Sequence, residues 1–327
     1  MRLQGKTAVV IGAGQGPGEG LGNGRATVLR FTKEGAKVMA VDRELRSAEE
    51  TASMVKQSGG ECVAYTADVT REATLAAAIA AAHKGWGRID ILHYNVGVSI
   101  TGGDAPLLEF TEEAFDRISA INLRGAIMAC KHVIPIMREQ REGAVTLISS
   151  LAALENYPFV AYKATKAALI AFAKQVAIQN AEFGIRANVI LPGLIDTPMA
   201  VDTRARVSGK SRAEVGAQRD ARVPLRRKMG TAWDVANAAL FLFLRRGKLH
   251  HRSGASRGRW RRAQYRVSSW RTTPEMSGYA EASSQWHVSV RGSMFRIQGR
   301  NLHLSTLNVG GWRFELDSEV GSLTRRR

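Results

Sequence analysis

The sequence predicts an α/β protein built on a doubly wound parallel sheet, and three observations predict it. Six short apolar runs alternate with helix-forming segments. A glycine-rich turn follows the first run directly, and the alternation stops near residue 243. Strands that read as continuous β-branched runs, each separated by a helix, belong to parallel sheets covered on both faces.

The elements follow in order. TAVVI from Thr7 and KVMAV from Lys37 read as buried strands, and RATVLRFTKEG between them reads as a helix closed by Gly35. CVAYT, a helix over Thr70 to Lys84, and IDILHY continue the pattern. A long helix near Glu112 to Arg138, the strand AVTLIS, a helix near Ala161 to Ala181 and the strand RANVIL complete it. The polar, helix-prone segment from Met199 to Arg222 lies just past a strand end, where open α/β sheets bind their ligands. It reads either as a substrate lid or as a solvated helix pair.

Composition narrows the class. The chain has 327 residues, 45% of them hydrophobic, enough for one large or two ordinary domains and too apolar for a disordered chain. Cys62 and Cys130 are too few for a disulfide framework or a four-cysteine zinc site, and no metal site is expected. The start has no secretory pattern and the longest apolar stretch, near Val235 to Leu244, is too short to span a bilayer, so the expectation is a reduced, cytoplasmic protein without a membrane partner. The net charge of +18 is uneven: residues 244–327 hold 17 basic and five acidic residues, together with four of the six tryptophans. Two unlike segments, 1–243 and 244–327, therefore meet near Phe243.

Seven glycines occupy every second position from Gly12 to Gly24. A glycine-rich turn between strand and helix lets backbone N–H groups approach a pyrophosphate, with the helix N-terminus favouring its charge. If Gly16 and Gly18 were the phosphate glycines, Gly20, Gly22 and Gly24 would fall inside the helix at about 1 kcal/mol each. The register using Gly22 and Gly24 avoids this, makes Gln15 to Gly20 an insertion, and requires Glu19 to point away from the phosphates. Asp42 ends the second strand; a carboxylate there accepts from ribose hydroxyls and repels a 2′-phosphate, favouring NAD over NADP. The adjacent Arg43 leaves dual use open.

Tyr162 and Lys166 stand four residues apart, on one helix face, with Ser150 at the end of the preceding strand. A phenol of ordinary pKa near 10 is a poor base at neutral pH, and neighbouring positive charge lowers it. With this constellation, from about Leu3 to Phe243, the chain resembles the short-chain dehydrogenase/reductase family, whose fold is Rossmann-like. The motifs that carry the resemblance are the glycine loop, Asp68 in ADVT, Asn95-Val96-Gly97, Asn122 in INLRG, Ser149-Ser150, Tyr162-x-x-x-Lys166, and Pro192-Gly193 followed by Ile195-Asp196-Thr197.

The resemblance implies the residue roles. Tyr162 is the general acid/base, Ser150 orients the substrate oxygen, and Lys166 holds the nicotinamide ribose and lowers the Tyr162 pKa. Asn122 bends its helix and holds a water that links Lys166 to solvent. Gly12, Gly22, Asn23 and Gly24 cradle the pyrophosphate, Asp68 and Val69 meet the adenine, Asn95 and Gly97 the adenosine side, and Ile195 and Thr197 the carboxamide. Two departures stand out: the phosphate loop is six residues longer than the family's, and Tyr94 replaces an asparagine. The histidines, including His93 and His132, read as structural because no ligand spacing supports them.

Family members continue after this point with a segment like Asp-Glu-Ala-x-x-Ile-Thr-Gly and a strand ending Val-Asp-Gly-Gly. Arg245 to Gly254 can be encoded as CGA CGA GGC AAG CTT CAT CAC CGG AGT GGC, which reads Asp-Glu-Ala-Ser-Phe-Ile-Thr-Gly-Val when the first nucleotide is dropped. Gly258 to Arg262 gives Val-Asp-Gly-Gly-Ala in the same frame, with Trp260 fixed by its single codon. The tail is therefore read as out-of-frame and disordered, leaving the last sheet edge uncovered. The rival is a basic domain binding nucleic acid, which no zinc spacing or helix-turn-helix pattern supports.

The expected activity is reversible hydride transfer between NAD and a small secondary alcohol or ketone, by a dimer or tetramer if the C-terminus permits. The alternatives are an NAD-binding protein weakened by its altered C-terminus, and a nucleic-acid binder. Arg204, Arg206 and Arg212 hint at an anionic substrate, against the simpler reading of a solvated face.

Overall fold

In a computed structural model of the chain, the described residues are 1–244 and five strands beyond them. β1 (Thr7–Ile11) is buried at every position, as a central strand of a covered sheet must be. Next come α1 (Asn23–Lys33), β2 (Lys37–Asp42), α2 (Leu45–Gln57), β3 (Glu61–Thr66), α3 (Glu72–Trp86) and β4 (Ile91–Tyr94). After them α4 (Glu112–Ser119), a π-turn at Ala120–Arg124, α5 (Gly125–Gln140), β5 (Gly143–Ile148), α6 (Val160–Gln179) and β6 (Ile185–Leu191) finish the repeat.

The six strands pair in the order β3-β2-β1-β4-β5-β6, parallel throughout. The predicted doubly wound, Rossmann-like sheet is therefore present. Alternation along β1 feeds two cores: Val9 and Ile11 pack with Leu75, Val133 and Leu169, while Ala8 and Val10 pack with Val28, Phe31 and Leu240. The chain winds outward to β3 and then returns to β4 beside β1. The C-terminal ends of β1 and β4 thus flank the switch point where such sheets bind ligands.

The polar segment past β6 folds as β7 (Ile195–Asp196), α7 (Asp202–Ser208) and α8 (Arg212–Asp220), followed by β8 (Gly230–Thr231) and α9 (Ala232–Phe243). It is more than a solvated pair, because Val201, Ala205, Val215, Val223 and Met229 make a small core of their own. Ser211 with Glu214 starts α8, and Thr231 with Asp234 starts α9, both as capping boxes. Phe243 closes the main core edge-on against Phe31 at 5.4 Å between ring centroids.

Two boundaries differ from expectation. The helix expected from Thr70 begins at Glu72, because Asp68 Oδ1 accepts from Thr70 N at 2.9 Å and holds the chain in a turn. The helix expected over 112–138 is interrupted by the π-turn that contains Asn122.

The reading of 244–327 as disordered lies mostly outside the described residues. Of that segment, β9 (His287–Val290) pairs antiparallel with β6 and β10 (Ser293–Arg296) with β9. The edge of β6 expected to be uncovered is therefore lined, as its unpaired backbone groups favour. Residues 298–327 form a separate unit in which β11 (Thr306–Val309), β12 (Trp312–Asp317) and β13 (Ser322–Arg326) make an antiparallel sheet. Among the described residues, Cys62 and Cys130 are both free, no His/Cys/Asp/Glu group is placed to hold a metal, and no helix is long and apolar enough to cross a membrane.

Candidate active site

The glycine loop leaves β1 at Gly12, whose φ is +81°. α1 starts at Asn23 with Gly22 as its N-cap, so residues 15–21 lie outside the helix, as the chosen register requires. Gln15 staples this insertion: its Nε2 donates to Gly20 O at 3.1 Å and its Oε1 accepts from Gly22 N at 2.7 Å. The Glu19 side chain is 83% exposed and faces Arg212 rather than the loop's inner side.

The glycines let the loop pack closely on its own backbone and on Asp42. A Cβ at Gly24 would lie 1.8 Å from Gly12 O, and one at Gly14 would lie 2.8 Å from Asp42 Oδ2. α1 has neither a side-chain cap nor an acidic residue in its first turn, so its N-terminal field is left for an outside anion. Asp42 Oδ2 accepts from Gly14 N at 2.8 Å and Oδ1 from Glu44 N at 3.2 Å, which fixes the carboxylate at the end of β2. Arg43 is turned to Glu44. These features fit a dinucleotide.

Beyond β3, Asp68 accepts from the backbone and hydroxyl of Thr70, and Val69 is buried beside it. Burial pushes the Asp68 carboxyl up, but the Thr70 hydrogen bonds and the charges of Arg43 and Arg71 outweigh it and leave the pKa lowered. Asn95 Nδ2 donates to Gly12 O at 3.0 Å, tying the end of β4 to the glycine loop. Gly97 gives Lys166 room, since a Cβ there would sit 2.8 Å from Nζ.

Asn122 is fully buried in the π-turn, with Oδ1 accepting from Val98 N at 2.8 Å and Nδ2 donating to Val98 O at 2.9 Å. Asn122 thus ties the π-turn to the exit of β4 at Val98. Tyr94, the departure from the family pattern, is accommodated here: its hydroxyl donates to Ile121 O at 2.7 Å, inside the π-turn.

Ser150 follows β5 and Tyr162 and Lys166 project from α6. The Tyr162 hydroxyl lies near that of Ser150. Burial raises the Tyr162 pKa, and neither the nearby Ser150 hydroxyl nor the charges of Arg204 and Arg219, which act against burial, reverses the shift. Lys166 is 2% exposed; its Nζ donates to Ile148 O at 2.8 Å and Val96 O at 3.2 Å, and lies 5.7 Å from the centre of the Tyr162 ring. Burial lowers its pKa to about 7. Beside Lys166, the expected cationic partner of the phenol, Arg204 and Arg219 add positive charge toward the Tyr162 hydroxyl.

Asp104 was not singled out by sequence. It is 6% exposed, and its carboxylate accepts from Ala161 N at 2.9 Å, Tyr162 N at 3.1 Å and Ser99 Oγ at 3.0 Å. It thus caps α6 from 58 residues away, at the turn that carries Tyr162. Ser99 Oγ also lies 3.0 Å from the hydroxyl of Tyr157, whose ring stands 5.4 Å from that of Tyr162. No local spacing signals a cap from another segment. On the far side Ile195 and Thr197 are buried, and Thr197 opens the lid by accepting from Ala200 N.

The lid arginines divide. Arg212 is paired with Asp196 at 2.6 Å and Asp202 at 3.4 Å, and Arg206 is exposed. Arg204 is half-buried near Tyr162, together with Arg219, which lies in a charged stretch that reads in sequence as a solvated face.

A family profile described as enoyl-(acyl carrier protein) reductase matches residues 19–249. The chain is 38% identical to 2-(R)-hydroxypropyl-CoM dehydrogenase of Xanthobacter autotrophicus over 72% of this chain and 90% of that one. Among solved structures, it resembles a short-chain dehydrogenase/reductase from Burkholderia xenovorans at 38% identity and a TM-score of 0.68, covering 76% of this chain and 92% of that one. It also resembles an NAD⁺-bound xylitol dehydrogenase at 28% identity and a TM-score of 0.68, covering 76% and 96% of the two chains.

Proposed function

The chain belongs to the short-chain dehydrogenase/reductase family of oxidoreductases, and on that premise we propose that it interconverts a secondary alcohol and its ketone with NAD. The observation that carries this reading is the placing of the Tyr162 and Ser150 hydroxyls near one another, with the buried Lys166 on the same helix as Tyr162.

Bound NAD supplies the hydride donor or acceptor. Gly12, Gly22, Asn23 and Gly24 would hold its phosphates, Asp42 its adenosine ribose, Asp68, Val69, Asn95 and Gly97 the adenosine side, and Lys166, Ile195 and Thr197 the nicotinamide half. Asp42 supports NAD over NADP, because a carboxylate at that strand end repels a 2′-phosphate.

The chain's own residues move the proton. In reduction the Tyr162 hydroxyl donates its proton to the carbonyl oxygen; in oxidation Tyr162, ionised, takes the alcohol proton. Ser150 Oγ donates to the same substrate oxygen and fixes its approach to Tyr162. Positive charge from Arg204 and Arg219 favours the ionised phenol in both directions. Asn122 keeps the Val98 turn and the adjoining wall of the site in place. By the same resemblance the chain is expected to assemble as a dimer or tetramer.

Tyr162→Phe tests this. The variant should keep its affinity for NAD while kcat falls by about 100-fold or more, the contribution usual for a general acid/base. Unchanged turnover would contradict the assignment.

A further inference from the structure

The lid holds positive charge that the protein itself does not neutralise. Arg219 Nε is buried and has no hydrogen-bond partner. Among the described residues no carboxylate lies within ion-pair distance of Arg204, Arg219 or Arg222. Arg204 Nη1 donates only to Ala200 O, at 3.0 Å. The nearby carboxylates are otherwise engaged: Asp196 with Arg212, and Asp220 with Lys228 and Met229 N. Glu155 feels Arg222, which stands exposed at the rim.

Burying a guanidinium N–H without a partner costs free energy, and a ligand oxygen at Arg219 Nε would recover it. Burial, with Arg204 and Arg222 close by, lowers the Arg219 pKa to about 10, which still leaves it cationic at neutral pH. Arg204 and Arg219 also act on the Tyr162 hydroxyl, so the charge lies beside the reacting position.

We infer that Arg204 and Arg219 form a subsite for an oxyanion on the substrate, making the preferred substrates ketones and alcohols that carry a carboxylate, sulfonate or phosphate. This rests on the oxidoreductase reading of the same site and adds to it the charge of the substrate. The guanidinium fork suits such groups because it offers parallel N–H donors to two oxygens. The anionic end seats on Arg204 and Arg219, and the carbonyl is left toward Ser150 and Tyr162. Arg222 at the rim adds attraction during approach.

The test uses the full-length chain with matched pairs of 2-oxo and 3-oxo acids and their methyl esters, which differ in charge at nearly constant shape. The expected result is a kcat/KM for an acid about tenfold or more above that of its ester, falling as salt is added. In Arg219→Met, which keeps the apolar stem, and in the more accessible Arg204→Gln, the acid-to-ester ratio should collapse toward one. A wild-type ratio at or below one for every pair overturns the subsite and leaves the oxidoreductase reading standing. Absence of turnover for all acids and esters, with NADH and with NADPH, counts instead against the oxidoreductase reading. Calorimetric titration of the acids then still decides the subsite: binding that Arg219→Met and Arg204→Gln lose upholds it, and no binding to wild type overturns it.

Discussion

Asp202 Oδ1 accepts a hydrogen bond from the backbone N–H of Glu19 at 3.1 Å, joining the insertion in the phosphate loop to the first turn of lid helix α7. Arg212 reinforces the contact from α8, 3.4 Å from Asp202 and 3.8 Å from Glu19. Gly18 makes room for it, with φ at +147° and a hypothetical Cβ only 2.5 Å from Asp202 Cγ. Asp202→Ala removes the acceptor without adding bulk. It should raise the Kd for NAD by up to about tenfold, the worth of one charge-assisted hydrogen bond, and speed amide exchange across residues 15–21. Unaltered exchange there would show that the contact does not order the loop.

Asp104 positions the catalytic helix rather than touching the reaction. Asp104→Asn replaces an acceptor oxygen with a donor facing Ala161 N, Tyr162 N or Ser99 Oγ, and removes negative charge from a helix N-terminus. The expected cost is about 1–3 kcal/mol of stability in urea unfolding, together with a lower kcat at little-changed KM for NAD. Full wild-type stability in the variant would argue against this cap.

Cofactor choice should turn on Asp42. Its carboxylate is held by Gly14 N and Glu44 N at the end of β2. Wild type should have a higher kcat/KM with NAD than with NADP, and Asp42→Ser should narrow or invert that ratio by weakening NAD and admitting the 2′-phosphate. Equal wild-type values for the two cofactors would refute the assignment.

His93 should govern part of the acid stability. It is fully buried on β4 with neither ring nitrogen hydrogen-bonded, and burial lowers its pKa from 6.5 to about 3. The unfolded chain takes up the proton first, so this contribution is fully present above about pH 6.5 and lost as pH falls toward 3. His93→Leu should flatten the fall of unfolding free energy across that window by up to about 1.4 kcal/mol per pH unit. Parallel curves for wild type and variant would exclude it.

Much of the dehydrogenase was legible because its signals are local. Strand runs, glycine spacing, and the tyrosine–lysine interval each fit within one turn or strand, so periodicity exposes them. Asp104 was not legible, since its partners lie 57 and 58 residues away and nothing near it marks a cap. Arg219 was hidden for a different reason. In sequence it sits in a charged stretch that looks solvated, and only the small core of Val201, Val215 and Val223 turns part of that stretch inward.

The shifted-frame reading of the tail makes its own prediction. Restoring the frame after Phe243 replaces the present chain beyond it, β9 and β10 included, with a strand ending Val-Asp-Gly-Gly, and should raise the melting temperature and promote a dimer or tetramer. A protease-resistant, cooperatively unfolding fragment from 245–327 of the present chain would refute it.

The bond between Glu19 and Asp202 also bears on how the two ligands sense one another. One partner belongs to the loop over the expected pyrophosphate seat, and the other to the helix that carries Arg204. If substrate draws that helix inward, the contact strengthens and the loop gains order at the same time. Equilibrium linkage then makes the effect mutual: whatever factor substrate adds to cofactor affinity, cofactor adds to substrate affinity. The extra residues of the glycine turn would thus make this enzyme heterotropic, with two ligands that hold each other in place through the contact of Glu19, Asp202 and Arg212.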